Sequence, residues 1–167
     1  MMLGMSLSTF TLLHVVISLV AIVAGLIVVF AMLSNGHSPA WVAFFLVTTI
    51  LTSVTGFMFP LKAIGPPHIV GAISLVVLAL ALVALYGREL AGAWRWIYVA
   101  TSVLALYLNV FVAIVQAFQK LEPFRQLAPT QTEPPFAIAQ LLVLVVFMAL
   151  GVLALRRFHP ATLRPAT

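Results

Sequence analysis

Five stretches of this chain are long and apolar enough to cross a lipid bilayer, and that limits its folds more than any other feature. They run from Thr9 to Leu33, Trp41 to Phe59, His68 to Tyr86, Arg95 to Phe118 and Phe136 to Phe158, and none carries Lys, Arg, Asp or Glu in its interior. A hydrocarbon core of ~30 Å needs ~20 helical residues to span it. Between the stretches stand breakers: Ser34 to Pro39, Pro60 to Pro67, Gly87 to Gly92 and Lys120 to Pro135. Gly and Pro collect there because helix interiors disfavour them and water satisfies the freed backbone groups. The expected fold is therefore all-α, a single transmembrane bundle of about five helices.

Composition enters as a check. Hydrophobic residues make up 64% of the 167 positions and charged residues 7%, against ~25% charged in a soluble domain. So few charges leave too little polar surface to coat a water-facing core, and the partner of the apolar surface is the lipid bilayer. The net charge of +5 comes from eight Lys and Arg at helix ends against three acids. It sets orientation and does not point to nucleic acid. With no cysteine, disulfides, thiolate-bound zinc, iron–sulfur clusters and thiol catalysis are excluded.

Five spans put the termini on opposite sides. One side receives Arg88, Arg95, Arg156, Arg157 and Arg164, with Glu89; the other receives Lys62, Lys120 and Arg125, with Glu122 and Glu133. Basic residues favour the cytoplasmic side, so the expectation is N-terminus out and C-terminus in. Trp41, Tyr86, Trp94 and Trp96 all fall at that same cytoplasmic interface, where amphipathic rings prefer to sit. The first span is expected to be a retained helix, because it exceeds a signal-peptide core of ~7–15 residues and no basic residue precedes it. The long connection 120–135 carries Pro123, Pro129, Pro134 and Pro135 and is expected to be an extended, semi-rigid external loop.

Inside lipid, helices gain no hydrophobic drive to associate, so small and polar residues mark the packed faces. His14, Ser18, Ala21 and Gly25 share a stripe on the first helix; Thr48, Thr52 and Thr55 do so on the second. Ser102, Asn109 and Gln116 recur at intervals of seven on the fourth, interleaved with Ala105 and Ala113, and Gln140 aligns with Gly151 on the fifth. By depth, His14, His68, Gln116 and Gln140 fall in the outer half and Asn109 near the midplane, with Lys62 and Glu133 within reach from the loops. This is the one candidate site. Two histidines from different helices can hold a b-type haem, and His with Gln and Asn donors can hold a quinone. The competing reading makes these residues polar glue between helices. No metal site is expected beyond that, since no inward carboxylate joins the histidines.

The chain has no phosphate-cradling glycine loop, nucleophile elbow or HExxH, so no catalytic residue is assigned and an enzyme is not the favoured reading. The segments Gly92 to Tyr98, Tyr107 to Phe111 and Gln116 to Lys120, with Thr52 to Phe57 and Pro67 to Gly71, resemble a group of small multi-pass inner-membrane proteins of bacteria whose activity is uncharacterised. The resemblance implies a place in the bacterial inner membrane and no activity. The function expected from these residues is a small non-catalytic membrane subunit or ligand-binding module, in a larger membrane complex or a homo-oligomer. An electron-transfer protein binding haem b or quinone is the alternative. An oligomeric small-solute transporter or channel comes third.

Overall fold

A computed structural model describes residues 4–59 and 66–160. The described chain is helical, with α1 (Leu7–Leu33), α2 (Pro39–Phe57), α3 (Pro66–Leu82), α4 (Trp94–Lys120), α5 (Glu122–Leu127) and α6 (Pro134–Arg157); a π-helical turn, Val83–Gly87, extends α3. Five of these helices are long and apolar enough to cross a membrane, and they match the five apolar stretches to within a few residues at each end. Each start has a local cause. Ser6 caps α1 by accepting from the Thr9 backbone N–H at 3.1 Å. Proline opens α2 and α6, where the ring's fixed φ suits a helix and its missing N–H would have had no partner. After α1 the chain reverses through Asn35, whose φ of 54° is left-handed, while the Gly36 N–H returns to the Ala31 carbonyl at 2.7 Å.

Consecutive helices are joined by short links, so neighbours run antiparallel. α1 packs on α2, α2 on α3, α3 on α4, and α4 closes back on α1. These four form a ring in which α1 and α3 stand diagonally. α6 lies outside the ring, against α4 and more lightly against α1. The bundle thus has an N-terminal face (the start of α1, with α5) and a C-terminal face (the end of α6, with the 34–38 and 88–93 links).

Close approach at the ring's centre depends on one missing side chain. A Cβ on Gly25 would stand 2.6 Å from Leu106 Cδ1 and 2.7 Å from Phe45 Cε2, so α1 can meet α2 and α4 at that level only with hydrogen there. Around it Phe45, Leu46, Val29, Leu78, Val99 and Leu106 are almost fully buried.

The connection 120–135 departs from expectation. It holds the helix α5 instead of running extended throughout. Pro123 falls in the first turn of α5, where a missing N–H breaks no hydrogen bond, and the Arg125 guanidinium pairs with Glu122 one turn away at 2.5 Å.

Candidate functional site

The expected site residues all lie on membrane-spanning helices, and the structure pairs most of them off with a neighbouring helix. His14 Nδ1 lies 2.7 Å from Thr55 Oγ1 across the α1–α2 seam. The Thr55 hydroxyl also reaches the Leu51 carbonyl at 2.6 Å. A hydroxyl has one proton to give, so with that proton on Leu51 the histidine Nδ1–H donates and Nε2 keeps its lone pair. Phe59 stands edge-on to the ring at 5.2 Å between centroids.

His68, at the start of α3, packs on the Phe57 ring at 5.7 Å. Thr55 and Phe57 are two residues apart on a helix that turns about 100° per residue, so they point about 160° apart. The two histidines therefore engage different faces of the last turn of α2. Among the described residues no three His, Asp or Glu gather as metal ligands.

Asn109 is buried, and its Nδ2 donates to Thr49 Oγ1 of α2 at 3.3 Å. Ser53 donates to Ser74 across the α2–α3 seam at 3.1 Å. Gln140 donates from Nε2 to the Phe111 carbonyl of α4 at 3.2 Å. The Oε1 atoms of Gln140 and Gln116 are buried without a hydrogen-bond partner among the described residues. Those two carbonyl oxygens are unused acceptors in the half of the bundle nearer the N-terminal face. Glu133 is engaged within its own loop. Its carboxylate accepts from the Thr130 N–H and hydroxyl and from the Thr132 N–H. The slight desolvation it feels raises its pKa, but the hydrogen bonds outweigh this and hold it below the usual carboxylate range. Lys62, the other residue expected to reach in from a loop, lies outside the described residues.

The sequence reading missed a cluster on the C-terminal face, where His37 and His159 had no assigned role. Phe158, one residue past α6, is fully buried and packs on the rings of Tyr98 and His37 at 6.0 and 6.2 Å. Arg95 Nη1 donates to the Phe158 carbonyl at 2.5 Å, supplying a partner for the end of a helix whose last carbonyls have none of their own. The His159 N–H donates to Asn35 Oδ1 at 2.7 Å. Burial lowers the His37 pKa below its ordinary value of 6.5. The turn signal Ser34-Asn35-Gly36 is visible in the sequence, but nothing there shows that the end of α6 returns to it. Beside this cluster Gly36, His37, Ser38, Trp41 and Tyr98 border a recess with room for about one water molecule.

In comparisons with protein-family models, with curated proteins and with solved structures, nothing matches this chain.

Proposed function

We propose that this protein is a small, non-catalytic subunit or binding module of the bacterial inner membrane, oriented with its N-terminus out. The observation that carries the reading is the placement of α6. It packs by one face only, while Ile138, Leu141, Leu142, Val145 and Met148 are each more than half exposed along the other. A helix added to the outside of a four-helix ring is well placed to seat a further transmembrane helix. The pairing of His14, Asn109 and Ser53 with neighbouring helices supports a structural role for the polar stripes. The bacterial location rests on the resemblance of the segments named above, and the orientation on the order of basic residues along the sequence, five in the connections and tail expected inside against three in those expected outside.

The test is purification in mild detergent after in-membrane photo-crosslinking from position 141. A companion polypeptide in fixed stoichiometry, linked from position 141 and lost when Val145→Lys is added on the same face, is the expected result. A clean monomer crosslinked only to lipid overturns the reading.

One observation favours a ligand as the occupant of the outer half. The unused oxygens of Gln116 and Gln140 are acceptors, which suit a donor such as a hydroxyl of a reduced quinone. Quinone assay of the extracted preparation tests this, and a reduced-minus-oxidised absorption spectrum tests for haem b.

A further inference from the structure

The charges at the two ends of the bundle are held in different ways. At the N-terminal face Arg125 pairs with Glu122, and Glu133 is engaged by its own loop. The chain has only three acidic residues. The third, Glu89, lies at the C-terminal face and forms no ion pair among the described residues. It stands there against the guanidinium groups of Arg88, Arg95, Arg156 and Arg157.

Contacts between helices gather these groups. Arg88 lies over the Trp94 ring, 5.2 Å from its centre. The next residue, Arg95, donates to the carbonyls of Leu155 and Phe158, the two residues that flank Arg156 and Arg157. The end of α6 is thereby fixed beside the start of α4, and its two arginines join the patch that Arg88 begins. Arg88, Arg156 and Arg157 are exposed, and none donates a hydrogen bond to a described residue. A cation–π contact steadies Arg88 without using its N–H groups. Those groups form a planar fork that matches two oxygens of a phosphate.

The patch also lies at the depth of lipid headgroups. It sits at the ends of membrane-spanning helices, beside the exposed rings of Tyr86 and Trp96, which mark an interface. We propose that Arg88, Arg156 and Arg157, with Trp94, bind the headgroup of an anionic phospholipid. A preference of basic residues for one side of the membrane accounts for the presence of these arginines, but not for their gathering by Arg95 into one patch. A zwitterionic lipid brings a cation of its own to a surface already rich in them; an anionic lipid brings the phosphate alone.

The three tryptophans of the chain report on this end of the bundle, since Trp41 lies in the first turn of α2 and Trp94 and Trp96 in that of α4. The intact protein is reconstituted in phosphatidylcholine vesicles with a small fraction of lipid brominated near the headgroup, and tryptophan quenching is read. The expected result is quenching several-fold stronger by brominated phosphatidylglycerol than by brominated phosphatidylcholine. Combined Arg88→Gln, Arg156→Gln and Arg157→Gln should remove that excess, and Arg125→Gln at the other face should leave it intact. Equal quenching by the two lipids, or an excess that survives the triple Gln variant, overturns the site. Lysine at the same three positions keeps the charge and loses the fork, so most of the excess should vanish; full retention would show diffuse attraction in place of a site. Chloride and inorganic phosphate at equal ionic strength should weaken the excess equally. Stronger displacement by phosphate would make this a site for a soluble anion and overturn the lipid assignment.

Discussion

His37 sits in the five-residue link between α1 and α2, outside the spans, with its ring against the buried Phe158. Burial there favours the neutral imidazole and lowers its pKa from 6.5. A native-state pKa below the unfolded value means that, in the window between the two, the unfolded chain binds more protons. The contribution of His37 to stability is therefore complete above the unfolded value and is lost as pH falls through the lower, folded one. The expected outcome is a thermal midpoint in detergent that drops on acidification below about pH 6.5, with a smaller drop in His37→Gln. Equal pH dependence in the two proteins would place the titrating group elsewhere. Nothing in the sequence around His37 discloses this role. The ring's environment is made by Phe158, more than a hundred residues away, and separation of that kind leaves no local pattern.

At the scale of the helices, the sequence spoke plainly about length and about which stripe faces inward, and was silent about which neighbour that stripe meets. The stripe of His14, Ser18, Ala21 and Gly25 is visible from helical spacing. That Gly25 is the point where α1 meets both α2 and α4 is not, because spacing gives an angle around one helix and no information about the others. Gly25→Ala tests the crossing. The added methyl has Leu106 and Phe45 inside 3 Å, and overpacking of this kind costs ~1–3 kcal/mol. Unfolding in a denaturing detergent titration should show a loss of that size. Gly151→Ala, whose new methyl would meet only Val103 Cγ1 at 3.6 Å, should be close to neutral. Similar losses in both would show that the α1 crossing is not specially tight. The connection 120–135 was misread for a different reason. Its prolines were weighed as a density, whereas their positions decide: Pro123 falls in the first turn of α5 and Pro134 opens α6, places where proline favours a helix.

For the whole molecule the open quantity is orientation, and it bears directly on function, because it decides which compartment meets α5 and which meets the Arg95–Phe158 cluster. Five basic residues against three is a small excess, and the rings of Trp41, Tyr86 and Trp96 mark a boundary without choosing its side. All three are strongly exposed and all lie at the C-terminal face, each at the end of a helix. Aromatic residues of this kind favour either interface, so they confirm that those helix ends share one boundary without saying which. The charges alone choose the side. Since the chain contains no cysteine, a single introduced thiol reports without interference. Gln126→Cys, exposed on the polar side of α5, should react with a membrane-impermeant maleimide in intact spheroplasts. Ser38→Cys, on the α1–α2 link, should react only after the membrane is opened. The reverse pattern would invert the protein, place α5 in the cytoplasm and show that the basic excess does not govern this chain. Reaction of both in intact spheroplasts would mean that one of α2, α3 and α4, the three apolar helices between the two positions, does not cross.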